Sequence, residues 1–243
     1  MVDENPQQQY LQILGAALTP EAIALALAEV PQSGTPNAWY QTSYLAILET
    51  FNETHGKADD TSWVKRKCAV YSWIGKIPRC GLCSSTTSWL TGIESAFAGA
   101  VLGARGTRLS GGHILYGGAE VSVKEMLGLA NHVLNAGGTD NVASCSKLLH
   151  FMNPRLFPIL DRWVYGALRG AISASQPSGN AYVNYLASLE SFLGQDGNRE
   201  RLEGASRGRF SALRVVDMVL FRQGKGMFAR QLNDDSAAVI SVR

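Results

Sequence analysis

The sequence predicts a mainly α-helical fold, and three observations carry that prediction. Apolar residues recur at helical spacing in one segment after another. Helix-start signals stand where these segments begin, among them Thr19 before Pro20 and Asp161 before an apolar run. Neither internal repeats nor a convincing sheet interrupts the pattern. At 243 residues the chain suffices for one large domain or two small ones sharing an interface. We read a helical part over 1–118 and a second over 119–243, with a cleft between them.

The elements follow in order. Residues 9–30, "QYLQILGAALTPEAIALALAEV", are helical in pattern, with Thr19 as N-cap, Pro20 at the first helical position and Glu21 in the first turn. Helix-spaced apolar residues continue through 37–54, 61–77 and 86–104. The stretch 103–118, "GARGTRLSGGHILYGG", breaks the run, since six glycines flank a short β-capable "HILY"; it reads as a loop or small hairpin. Helix resumes in "AEVSVKEMLGLANHVLN", where Val123, Met126, Leu127, Ala130, Val133 and Leu134 form one stripe that "AGGTDN" ends. A helix from about Val142 to Met152 buries Val142, Cys145, Leu149 and Met152, with Lys147 nearly opposite Cys145. Pro154 and Pro158 then punctuate a turn, Asp161 caps "RWVYGALRGAI", and two further helices lie near 179–194 and 210–223.

Composition excludes some functions. A hydrophobic fraction of 46%, a charged fraction of 17% and a net charge of +2 are those of an ordinary globular chain. No global basic field points to nucleic acid, so such a partner would be held by local Lys and Arg patches. The start, "MVDENPQQQY", is acidic and polar, unlike a signal peptide, and no apolar run approaches the roughly 20 residues of a membrane helix. A cytoplasmic protein without a membrane partner is expected. Cys68, Cys80, Cys83 and Cys145 do not make a disulfide framework; with a single C-x-x-C, free thiols are favoured over zinc, and no metal or cofactor is assigned. His55 and His132 lack ligand partners at useful spacing.

The chemically informative stretch is "SCSKLLHFMNPRLFPILDRWV", Ser144 to Val164. Taken singly, Lys147 fits an exposed helix face and Asp161 fits a cap. A helix, a tight turn and a second helix opened by Asp161 would nevertheless bring the two residues into one cleft. There a desolvated lysine becomes a nucleophile, and a carboxylate accepts a proton or stabilises a developing cation.

This stretch resembles the catalytic segment of the helix-hairpin-helix DNA glycosylases, in particular the 8-oxoguanine glycosylase branch. The later "LRVVDMVLFRQGK" (213–225) is similar to that family's terminal helix, and the likeness does not extend before residue 100. The resemblance implies that Lys147 attacks the sugar C1′ and that Asp161 is the essential aspartate. It places His150, Phe151 and Trp163 around the base pocket. Where the family carries a glycine hairpin this chain has "ASCSK", so Ser144 and Ser146 are the expected phosphate contacts at a helix start. Arg105, Arg108 and His113 of the glycine-rich loop, with Arg162, are further DNA-contact candidates; a plain surface connector explains that loop equally well. Trp39, Tyr40, Trp63, Trp73 and Trp89 are also available as clamp or wedge, although tryptophans at helical spacing are commonly core. The eight Lys and Arg residues of 199–230 are either a phosphate-tracking face or a solvated helix surface. The implied activity is excision of a modified or damaged base from double-stranded DNA by a monomer, with Schiff-base (lyase) chemistry, in repair or in defence against modified phage DNA. The alternative is a non-catalytic nucleic-acid or protein-binding module that keeps the fold.

Overall fold

A computed structural model describes residues 5–28, 38–54, 57, 59–74, 108–110, 113–116, 119–134, 141–171, 176–195 and 197–240. The described chain is mainly helical. Helix α1 (Pro6–Ala17) begins at Asn5, whose side chain accepts from the Gln7 amide at 3.1 Å; α2 (Pro20–Ala28) begins at Thr19, whose hydroxyl accepts from the Ala22 amide at 3.2 Å. The single helix suggested by residues 9–30 is therefore two, because Pro20 cannot continue α1 but suits the first turn of α2. Helices α3 (Ala38–Glu53) and α4 (Asp60–Ile74) pack against each other. Buried Arg66 of α4 ties them together, since its guanidinium donates to the hydroxyl and carbonyl of Thr54 and to the carbonyl of Lys57.

The glycine-rich loop resolves into a small antiparallel meander, β1 (Arg108–Ser110), β2 (His113–Tyr116) and β3 (Ala119–Ser122). "HILY" is its middle strand, with Ile114 paired with Leu109 on one side and with Val121 on the other. "AEVS", read from the sequence as the start of a helix, is instead β3. It pairs with β2 before α5 (Val123–Leu134) starts, so tertiary pairing overrides the local pattern.

Helix α6 (Val142–Met152) is the centre of the molecule. Its bounds match the sequence reading, but its environment does not: every residue from Ser144 to Met152 is buried, not one face alone. Helices α3, α4 and α5 pack around it. Then come α7 (Arg162–Arg169), α8 (Gly179–Leu193), α9 (Asn198–Ala205) and α10 (Ala212–Ile240). Helix α1 packs on α8, and α2 and α7 pack on α10, so one buried core includes side chains from before and after residue 118. The α7–α10 crossing is close. A Cβ added at Gly224 would overlap the Trp163 carbonyl, so only glycine admits this approach. Among the described residues no single helix is long and apolar enough to cross a membrane; α1 and α2 reach that length and composition only as a pair bent by 74°.

Candidate active site

The segment from Asn153 to Leu160 connects α6 to α7 and is itself buried from Leu156 onward. A buried connection must find partners for its backbone polar groups. Here side chains supply them. The Ser146 hydroxyl accepts from the Leu160 amide at 3.1 Å, the Tyr182 hydroxyl donates to the Pro158 carbonyl at 3.0 Å, and the Ser211 hydroxyl donates to the Pro154 carbonyl at 2.7 Å. His150 holds a fourth group, the Phe157 carbonyl, at 2.7 Å from Nδ1. A carbonyl only accepts, so Nδ1 carries the proton; Nε2 then accepts from the Tyr44 hydroxyl at 2.9 Å.

These bonds deliver Asp161 to α6. Its extended backbone places it as N-cap of α7, where Oδ1 accepts from the amides of Trp163 (2.9 Å) and Val164 (3.1 Å). Oδ2 faces Lys147 Nζ at 3.4 Å, fourteen residues earlier in the chain. Both residues are buried, with relative exposures of 7% for Lys147 and 9% for Asp161. The indole of Trp73 forms a wall beside the amine, its centroid 5.9 Å from Nζ. Lys147 and Asp161 thus form a buried ion pair at the junction of α6 and α7.

The other predicted site residues fall elsewhere. Ser146 is fully buried; besides accepting from Leu160, it donates to the Ala143 carbonyl at 3.2 Å, so it is not placed to meet a phosphate. Ser144 is buried as well, and its amide is taken by the Asn141 cap at 3.3 Å. His150 and Phe151 belong to a closed aromatic cluster with Tyr44, Trp73, Phe51 and Phe210, which leaves no face for a base. Burial and the nearby Arg214 push the His150 imidazole down to about 3, so it is neutral in the folded chain. Trp163 is half-buried on α7, edge-on to Phe228 of α10, and exposed Arg162 lies 4.1 Å from its ring. His113 on β2 faces Glu120 of β3 at 3.4 Å. Arg108 lies on β1, and Arg105 falls outside the described residues, as do Cys80, Cys83 and Trp89.

Sequence reasoning misses the second half of the charge cluster. Along the chain Arg214 belongs to the basic run of 199–230, yet it is buried in the first turns of α10 and paired with buried Asp217. It fits neither a phosphate-tracking face nor a solvated surface. The signal that could have found it is "RVVDMVL": two opposite charges one turn apart in an otherwise apolar stretch. Arg214 lies against Tyr44 (4.4 Å) and Trp73 (5.4 Å), the ring that also faces Lys147. Among the described residues no group of three or more His, Cys, Asp or Glu could hold a metal ion. A depression of about 330 Å³ lies where α6 and α8 begin and another of about 530 Å³ lies between α2 and α10; Lys147 and Asp161 line neither.

No family model, curated protein or solved structure matches this chain.

Proposed function

We propose that the protein is a DNA glycosylase of the helix-hairpin-helix kind, excising a modified or damaged base, with Lys147 as nucleophile and Asp161 as its electrostatic partner. The observation that carries this reading is the buried Lys147–Asp161 pair, reached only through a connection held by four side-chain hydrogen bonds. The likeness of Ser144–Val164 to that family's catalytic segment assigns the pair its roles.

The target nucleotide first leaves the duplex, because its glycosidic bond is out of reach inside the stack. As that bond lengthens, the Asp161 carboxylate stabilises positive charge growing on the sugar. Neutral Lys147 attacks C1′, the base departs, and the Schiff base that follows can eliminate and cut the strand. Asp161 keeps its orientation throughout because two backbone amides hold its other oxygen. The base is an oxidised purine, or a modified base of the kind that protects phage DNA, in which case excision is defence.

Cyanoborohydride trapping tests the reading. Incubation with duplexes carrying oxidised purines, phage-type modified bases or an abasic site should yield a covalent adduct that Lys147→Ala abolishes. No adduct with any of these duplexes, or an undiminished adduct with Lys147→Ala, overturns the nucleophile. Base release without an adduct, lost in Asp161→Asn, assigns a monofunctional enzyme that uses water. The alternative is a non-catalytic nucleic-acid or protein-binding module that keeps the fold, with Lys147 as a phosphate contact and Asp161 as a cap; it predicts no adduct with any of these duplexes.

A further inference from the structure

Where α7 crosses α10, aromatic rings and cations alternate on a partly exposed face. Trp163 is half-buried there, edge-on to half-buried Phe228 of α10, with ring centroids 5.2 Å apart. The exposed Arg162 guanidinium lies 4.1 Å from the indole centroid. One turn back along α10, exposed Lys225 stands 5.3 Å from the Phe221 ring. Phe221, Lys225 and Phe228 recur at helical spacing, so they share the face on which Gly224 meets the Trp163 carbonyl. The Trp163 amide donates to Asp161 Oδ1 at 2.9 Å, which fixes this face beside the Lys147–Asp161 pair.

Charge here has one sign. Helix α7 and residues 218–233 of α10 carry Arg162, Arg169, Arg222, Lys225 and Arg230, and no Asp or Glu. Among the described residues neither Arg162 nor Lys225 pairs with a carboxylate. A half-exposed pair of rings flanked by cations complements a nucleic-acid strand in both its parts, since bases stack on aromatic faces and phosphates take Lys and Arg. We propose that Trp163 and Phe228 form a stacking platform for an unpaired nucleobase next to the excised one, with Arg162 and Lys225 holding the phosphates that flank it. In the free protein the planar Arg162 guanidinium covers the indole. A nucleobase displaces it, because stacking on an indole is stronger than an exposed cation–aromatic contact, and the released guanidinium then takes a phosphate. This inference deepens the glycosylase reading and rests on its DNA partner, not on Lys147 as nucleophile.

The test compares the affinity of the full chain for two labelled strands of equal length, followed by fluorescence anisotropy. One is a short oligothymidylate, the other a strand of tetrahydrofuran abasic residues, which has the phosphates without the bases and no aldehyde to trap. The wild type should bind oligothymidylate roughly tenfold more tightly at the same salt concentration. Trp163→Leu and Phe228→Leu should each bring the two strands toward equal affinity. Trp163→Phe and Phe228→Tyr keep a ring and should keep the preference, which separates stacking from a loss of fold. Arg162→Gln and Lys225→Gln should each lower the slope of log affinity against log salt by about 0.7, the share of one phosphate on a single strand. Equal affinity of the wild type for both strands, or a preference that survives in both Leu variants, overturns the platform. A salt slope unchanged in both Gln variants overturns the phosphate contacts. Neither strand forms a Schiff base, so the outcome is independent of Lys147. A protein that traps no adduct on damaged duplexes yet loses its base preference in the Leu variants keeps the platform and loses the nucleophile.

Discussion

The two oxygens of Asp161 face different partners, and that division separates folding from chemistry. Oδ1 caps α7, while Oδ2 meets Lys147. Asn also caps helices, whereas Ala does not. Asp161→Ala should therefore cost about 3–5 kcal/mol in urea unfolding, because it removes a cap and strands a buried ammonium. Asp161→Asn should retain the cap and lose less, so Asn is the variant for judging activity. Ser146 makes a matching case. Its hydroxyl is the partner of the Leu160 amide, and Ser146→Ala leaves that buried N–H unsatisfied. A loss of about 1–3 kcal/mol is expected, with no change in the salt dependence of DNA affinity. A shallower salt dependence would restore Ser146 as a phosphate contact.

Helix α7 is fixed at both ends and along one side. It starts at Asp161, ends at Gly170 in the left-handed region (φ 68°), and lies against α10 at Gly224. Any side chain at 224 meets the Trp163 backbone, which cannot yield as a flexible side chain would. Gly224→Ala should destabilise the protein by about 3 kcal/mol or more in thermal or urea unfolding, pushing α7 and its Asp161 cap away from α10. A Cβ added at Gly226, two residues on, would meet nothing within 4 Å. Gly226→Ala should stabilise by up to about 1 kcal/mol through helix propensity alone. Opposite signs at neighbouring glycines of one helix would confirm that the crossing, not the helix, demands glycine at 224.

The interior of the molecule holds Lys147, His150, Asp161, Arg214 and Asp217, and this shapes its response to acid. His150 is neutral when folded, with its imidazole held down at about 3, while an unfolded histidine protonates near 6.5. Stability from this group is lost as pH falls from about 6.5 toward 3. Asp217 works the other way. Its folded carboxyl takes a proton near 6, the unfolded one near 3.8, so stability is gained as pH falls between them. Between pH 7 and pH 4 the two titrations nearly cancel in the wild type, so the decisive protein is Asp217→Asn, which lacks the opposing titration and whose urea midpoint should fall over that range. A flat profile in Asp217→Asn would mean that His150 is protonated within the fold.

Much of this was legible along the chain. The bounds of α6, the Thr19 and Asp161 caps and the mainly helical class follow from local capping chemistry and apolar spacing, which need no distant partner. The convergence of Lys147 and Asp161 was readable as well, since a helix, a short turn and a capped helix return the chain on itself. The burial of α6 on all sides was not, because its polar face is covered by α3 and α4 from far earlier in the sequence. Ser146 and His150 looked like ligand contacts for the same reason. A polar side chain announces only that it needs a partner, and here the partners are carbonyls and amides of a buried connection. What the sequence by itself determined is where the helices begin and which lysine and aspartate stand at their junction. What only the tertiary structure decided is that this pair is buried beside Arg214 and Asp217, because burial and charge pairing depend on which surfaces close over a residue, and those surfaces come from the whole chain.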